Sequence, residues 1–395
     1  MHDNNAIGTW FQLDLLNFGL RVKNNYFTFT SALKTDFRLA FRKDLPAFLI
    51  QGNAYPGNEE LTFLKDDFLS LNAYLELGLG YNREINDKLS VGINLKYLSG
   101  LANAYSEKVD VTLATSDNYS DLTLKYNVLG KFACIVDVIG SYGNDGFSSI
   151  SGIMNSFKNH GFAVDIGGRY KLNKRLEFNA AVLDIGAINW KSNAYQYQVP
   201  EKTFTFSGYN VNGDVLENYG TIQDSIVKYF GDMADSIMHS FSSDIEQTAS
   251  YRKWLNTRFT IGASFHISSD DRINGNFRGT FVNGAFIPSG SLSYARKCGK
   301  WFDFVVGNTF RPHAAFNPGL GLNLTLFVLQ IYTVVDYANT VIYIDKVKNV
   351  NVVAGINFVF PQKKDKKENK KTKEPAKSVE TNKPAETDKP EDKKE

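Results

Sequence analysis

Residues 69–81 read Leu-Ser-Leu-Asn-Ala-Tyr-Leu-Glu-Leu-Gly-Leu-Gly-Tyr, and residues 88–100 read Lys-Leu-Ser-Val-Gly-Ile-Asn-Leu-Lys-Tyr-Leu-Ser-Gly. In the first, Leu71, Ala73, Leu75, Leu77, Leu79 and Tyr81 share one face, and Asn72, Tyr74, Glu76, Gly78 and Gly80 share the other. In the second, Leu89, Val91, Ile93, Leu95 and Tyr97 oppose Ser90, Gly92, Asn94 and Lys96. A strict period of two marks a β-strand with two unlike faces. The pattern recurs along the chain, for example with Phe162, Val164, Ile166, Tyr170 and Leu172 opposite Asp165, Arg169 and Lys171. Such runs extend over roughly 10–16 residues, against about 5–6 in soluble sheets, a length suited to crossing a bilayer at a tilt.

Five hairpins share one grammar, in which an apolar strand end meets a short polar turn and then a new alternating strand. They lie around Lys23 to Asn25, Asn82 to Lys88, Asn173 to Arg175, Ser268 to Arg272 and Lys297 to Lys300, with longer segments between them. Short turns alternating with long loops is the asymmetry of outer-membrane barrels, whose short turns face the periplasm. Strands are expected near 12–23, 26–41, 68–81, 88–104, 108–116, 119–133, 162–172, 175–190, 252–267, 272–283, 286–296, 301–311, 318–327, 329–337 and 348–360. That number is odd, whereas a closed antiparallel bacterial barrel wants an even one. The expected fold class is therefore all-β, an antiparallel outer-membrane β-barrel of about 14–16 strands, lacking one or more N-terminal strands. If the pair 108–116 and 119–133 is an extracellular ribbon, two strands leave the wall together and parity is unchanged.

Composition agrees. The 395 residues are 43% hydrophobic, yet no stretch approaches the apolar run that a membrane-spanning helix requires. Residues 361–395 hold 12 lysines against 9 acidic residues, and removing them leaves 32 basic and 33 acidic residues, a body of net charge −1 that suggests no nucleic-acid partner. Cys134 and Cys298 are too few for a disulfide framework or a structural metal site and are read as unpaired. Met1 to Asn5 resembles no secretion signal, so the signal is expected to have been removed or to lie upstream.

The domain organisation expected is a disordered or truncated start at 1–9, a barrel over 10–360 and a disordered charged periplasmic tail over 361–395. Between Thr221 and Gln247 the residues Ile222, Ile226, Tyr229, Phe230, Met233, Ile237, Phe241 and Ile245 recur at helical spacing, which predicts an amphipathic helical loop. Residues 43–51 are also weakly helical.

Several segments resemble a family of uncharacterised outer-membrane barrels of Bacteroidota. They are Lys88 to Gly100, Leu183-Asp-Ile-Gly-Ala-Ile-Asn-Trp190, Gly319-Leu-Gly-Leu-Asn-Leu324, Gln330-Ile-Tyr-Thr-Val-Val-Asp336 and Asn349 to Phe360. That family is distantly similar to fatty-acid transporter (FadL-like) barrels and to type IX secretion-associated barrels. The resemblance implies an outer-membrane location, contact with outer-membrane lipid, and recognition of the last strand by the outer-membrane insertion machinery, although here a tail follows Phe360.

Alternation turns Glu76, Lys96, Asp165, Arg169, Lys171, Glu177, Arg258, Arg278 and Asp303 away from lipid. These residues are the candidates to line the lumen, either bordering an aqueous path or pairing across a filled interior. Trp190 could stack on a ligand, but a place in an interfacial aromatic girdle is the stronger expectation, given the aromatics at strand ends. His266 and Ser268 share the non-lipid face as a base and nucleophile would, yet polar lining beside a turn accounts for them better. His160, His239 and His313 have no metal-ligand spacing, no phosphate-binding glycine loop is found, and neither enzyme chemistry nor a cofactor is expected. Two functions follow as expectations. One is passage of a hydrophobic or amphipathic small molecule. The other is a structural or secretion-associated barrel whose tail binds a periplasmic protein or the cell wall.

Overall fold

The structure, a computed structural model, describes residues 3–52, 60–66, 68–116, 121–134, 157–206, 245–248, 250–312, 314–336 and 351–360. The predicted helical loop lies outside these residues except at its end, where Ile245–Gln247 form a strand; the tail after Phe360 also lies outside.

In chain order the elements are β1 (Asn4–Val22), β2 (Asn25–Arg42), α1 (Asp44–Gln51), β3 (Glu60–Lys65), β4 (Leu69–Glu84), β5 (Leu89–Thr115) and β6 (Leu122–Cys134). β7 (His160–Lys171), β8 (Leu176–Trp190), β9 (Ala194–Phe206), β10 (Ile245–Gln247), β11 (Tyr251–Trp254) and β12 (Arg258–His266) follow. The last six are β13 (Asp271–Val282), β14 (Ala285–Cys298), β15 (Phe302–Phe310), β16 (Pro318–Leu326), β17 (Leu329–Asp336) and β18 (Asn351–Phe358). Among the described residues all the strands belong to one antiparallel 18-stranded sheet.

Thirteen of these strands form a continuous wall in the order β1–β2–β4–β5–β7–β8–β12–β13–β14–β15–β16–β17–β18. One face of the wall carries large apolar side chains that no described residue covers, among them Leu79 at 66% exposure, Leu95 at 55%, Phe162 at 66% and Ile261 at 56%. Water would not tolerate so continuous an apolar band, and lipid covers it. The chain thus has the fold of a transmembrane barrel of the outer-membrane type. The registers end at β1 on one side and at β18 on the other, and both of these strands run towards the short turns.

Those turns repeat one device. Asn86 Oδ1 accepts the N–H groups of Lys88 and Leu89 at 2.9 and 2.8 Å, and Asn173 Oδ1 accepts those of Arg175 and Leu176 at 2.8 and 2.9 Å. Ser268 Oγ does the same for Asp270 and Asp271 at 3.1 and 3.0 Å, and donates to Asp271 Oδ2. Side-chain acceptors of this kind fix tight turns locally. At the opposite end the β13–β14 connection is also tight, with Asn283 and Gly284 at φ of +48° and +85°, the left-handed pair of a type I′ hairpin.

The structure differs from the expected strand list in instructive ways. β1 reaches back to Asn4, so residues 4–9 belong to the wall. Segments 88–104 and 108–116 are one strand of 27 residues. Its lower half pairs with β7, while its upper half pairs with β6 from Ala102 to Thr115 and with β3. β6 pairs onward with β9, and β9 with β10, so this end of the wall carries a ribbon above the membrane-spanning part. β9 was not expected because Pro200 breaks its alternation. α1 matches the weak helical signal, and it packs Leu45 and Phe48 onto Leu61, Phe63 and Leu113 of the ribbon.

Candidate functional site

The inward face of β2, β4, β5, β7, β8 and β12 carries a layer of ionised side chains. Lys96 Nζ is its hub, 2.7 Å from Asp165 Oδ2, 2.7 Å from Asp184 Oδ1 and 3.7 Å from Glu76 Oε1. Glu76 Oε2 lies 2.7 Å from Lys34 Nζ, and Asp184 also pairs with Arg258. The backbone N–H of Asp184 donates to Asp165 Oδ1 at 2.8 Å, and Asn94 Nδ2 donates to Asp165 Oδ2 at 3.1 Å. The side chains of Lys96, Asp184, Glu76 and Lys34 are no more than 9% exposed. Three cations meet three anions, so the layer is neutral, as burial of charge in a low-dielectric interior demands.

The wall geometry explains why Asp184 joins this layer. Leu176 to Val182 alternate with odd residues inward, but Asp184 sits at φ +59° in a bulge where the β7–β8 register shifts. From there the even residues Asp184, Gly186, Ile188 and Trp190 turn inward, and each is buried. The extra residue re-aims the upper strand, which is what a bulge does. Opposite it, β11 and β12 are separated by Leu255 to Thr257, and Asn256 Nδ2 donates to Asp36 Oδ2 at 2.6 Å.

Above the ionic layer the same side of the interior is packed with apolar groups: Leu98, Ile188 and Trp190 at 0% exposure, with Tyr74, Tyr251 and Leu255. Trp190 stacks on Tyr251, with ring centroids 6.5 Å apart, and Tyr251 donates to Asn103 Oδ1 at 2.9 Å. Trp190 therefore stands inside the barrel and not in the interfacial girdle expected from the aromatics at strand ends; the Asp184 bulge turns the even residues of upper β8 inward. Gly100 makes room for its ring, since a Cβ there would meet the indole at 2.6 Å.

The other half of the wall is different. Between β12 and β18 lies a cleft of about 480 Å³. Asn276, Arg278, Ser289, Ser291 and Thr309 give it a polar flank, and Val305, Gly321 and Val334 give it an apolar one. The Arg278 side chain is exposed in the cleft and makes no ion pair or hydrogen bond among the described residues. Arg311 and Asp336 stand at its rim.

Of the residues singled out by alternation, Glu76, Lys96, Asp165 and Arg258 are brought together in the ionic layer. Arg169 and Glu177 form a separate pair, 3.9 Å apart, nearer the short turns. Asp303 accepts from Asn323 Nδ2 at 2.9 Å on β15, and Arg278 lies in the cleft. Alternation missed Lys34, Asp36 and Asp184. The first two were legible in β2, where Thr28, Thr30, Lys34 and Asp36 oppose Phe27, Phe29, Leu33 and Phe37. Asp184 was not, because no sequence signal marks the bulge.

Cys134 and Cys298 are free thiols. The described residues contain no cluster of ligands able to hold a metal ion.

Among solved structures the chain is similar to the toluene transporter TodX of Pseudomonas putida, with 8% identity over 84% of this chain and 81% of that one and a TM-score of 0.41. It is also similar to a triple mutant of the Rhodopseudomonas blastica porin, with 10% identity over 74% of this chain and 92% of that one and a TM-score of 0.24. No curated protein matches the sequence. Residues 1–336 match the model of a Family of unknown function (DUF5723), and the chain belongs to that family.

Proposed function

We propose that the chain is a non-enzymatic outer-membrane barrel that passes an amphipathic small molecule along the inward face of β13–β17. The observation that carries this reading is the cleft beside Arg278. A guanidinium without an ion-pair partner and a row of hydroxyls face Val305 and Val334 across one concave surface, so a solute with a polar end and an apolar body meets both of its needs there. The ion-paired, apolar-filled half serves as scaffold and narrows the passage to the other half. Uptake of radiolabelled amphiphiles by cells and by liposomes carrying the purified barrel tests the proposal. Uptake that is unchanged after deletion of the gene, together with no flux through the reconstituted protein, would sink it.

A second reading is a structural or secretion-associated barrel whose tail, residues 361–395, binds a periplasmic protein or the cell wall. It is favoured by the buried ionic layer, which rigidifies half of the interior, and by the tail composition, which cannot bury enough apolar surface to fold alone. Photo-crosslinking from the tail in cells discriminates the two. A specific partner, with function lost on truncation, supports the second reading.

A further inference from the structure

The outward face of the wall has a sharp upper edge on β5, β7, β8 and β11. Tyr97 of β5 pairs with Phe162 of β7, Phe162 with Ala187 of β8, and Ala187 with Trp254 of β11, so these four form one row around the barrel. Below that row the outward residues of β5 are Leu95, Ile93, Val91 and Leu89, an apolar run of about nine residues from Leu89 to Tyr97, as a tilted strand needs to cross the hydrocarbon. Phe162 and Trp254 are 66% and 63% exposed, as membrane-interface aromatics are.

The next outward row is His160, Asn189 and Arg252, again in direct register. Inward-facing Trp190 and Tyr251, buried at 0% and 8% exposure, confirm that Asn189 and Arg252 point out. Asn189 Oδ1 accepts Arg252 Nε at 2.8 Å, which holds the guanidinium at this height. Lys158 and Lys191, both exposed, stand at the ends of the neighbouring strands. Asn159 ties them together, its Oδ1 accepting the N–H of Lys191 at 2.8 Å. No Asp or Glu occurs in 157–160, 187–191 or 250–254. Three permanent cations and a histidine thus sit directly above an aromatic girdle, at the rim carrying the longer loops.

We propose that this row binds the phosphate groups of the outer-leaflet glycolipid. The argument is one of height and charge. The rim of longer loops faces outward, the aromatic row marks the end of the hydrocarbon, and the anionic phosphates of the lipid lie at the level of the cations above it. Arg252, held by Asn189, is suited to paired N–H contacts with a phosphate, and the two lysines add compact charges on either side.

The test uses the full chain reconstituted into phosphatidylcholine nanodiscs doped with bis-phosphorylated lipid A, with the lipid A retained per barrel counted by native mass spectrometry. The triple variant K158A/K191A/R252A is expected to retain about tenfold less than the wild type, as loss of charge-assisted phosphate contacts implies. A control triple at the opposite rim, K174A/R175A/K300A, is expected to retain as much as the wild type. Dephosphorylated lipid A is expected to be retained poorly by all three proteins. Only barrels that migrate as folded on gels are counted. Equal retention by the wild type and the first triple overturns the proposal, as does equal loss in the control triple or equal retention of the dephosphorylated lipid.

Discussion

Asn256 donates a 2.6 Å hydrogen bond to Asp36 from a residue 220 positions away in the chain. In the wall, β2 and β12 are separated by β4, β5, β7 and β8, so this bond crosses the interior and draws six strands around the ionic layer. It marks the border between the filled half and the open cleft. Asn256→Ala deletes the crossing contact and leaves the Asp36 carboxylate short of a donor, at a cost of about 1–3 kcal/mol. Conductance of the variant in planar bilayers is expected to exceed that of the wild type. Wild-type conductance in a folded Asn256→Ala barrel would show that the bond does not bound the passage.

Among the described residues Lys96 is the single cation that touches Asp165, Asp184 and Glu76 together. Lys96→Met keeps the stem volume but strands buried carboxylates without their counter-charge, so the expected destabilisation is about 3–5 kcal/mol. Replacing Asp184 by Asn in the same chain should return part of that loss, because the stranded charge is then gone. Guanidinium unfolding of the vesicle-inserted barrel, followed by tryptophan fluorescence, measures both. Arg169→Ala, at a half-exposed pair with a 3.9 Å separation, should cost less than about 1 kcal/mol in the same assay.

Gly100 and Trp190 are complementary in shape. A methyl at Gly100 would press into the indole at 2.6 Å, and neither the β5 backbone nor the buried ring has space to yield. Gly100→Ala is expected to destabilise by about 1–3 kcal/mol through overpacking. In a Trp190→Leu background the same substitution should cost distinctly less, and a double-mutant cycle reads the difference as coupling. Strict additivity would mean that the two residues do not compete for one space.

Much of this architecture was legible from alternation alone, because a strand facing lipid on one side and a polar interior on the other must repeat with period two. Leu71 to Tyr81 and Leu89 to Tyr97 fall on the lipid face as read, and Glu76 and Lys96 on the other. The turns were legible for a similar reason: Asn86, Asn173 and Ser268 fold them through their own side chains. Alternation fails where one residue is inserted. The Asp184 bulge reverses the faces of the last third of β8, which hid both the anion that completes the ionic layer and the inward course of Trp190. The ribbon was half legible, since pairing of 108–116 with 119–133 was readable but their position above the wall depends on the unbroken course of β5. Nothing in the sequence indicated that the charges of one half would pair while Arg278 in the other half would not. That distinction depends on which side chains the strand registers bring together across the inward face, and no single strand carries that information.

Arg278 gives the proposed passage its sign. Its guanidinium is exposed in the cleft, Arg258 lies on the neighbouring strand β12 but is committed to Asp184, and Arg311 and Asp336 stand at the cleft rim. A solute moving along β13–β17 passes within reach of a positive charge that no described carboxylate satisfies. Arg278→Ala removes that charge at a position with no ion pair to break, so stability should stay within about 0.5 kcal/mol of the wild type. Arg278→Glu reverses it. In planar bilayers under a salt gradient, the reversal potential should shift towards cation preference in the order wild type, Arg278→Ala, Arg278→Glu, as expected when fixed charge in a narrow passage is removed and then inverted. Uptake of an amphiphilic anion should fall in the same order, with that of its neutral analogue changed little. A reversal potential identical in all three proteins would place the permeating path away from Arg278 and leave the cleft without a role in passage.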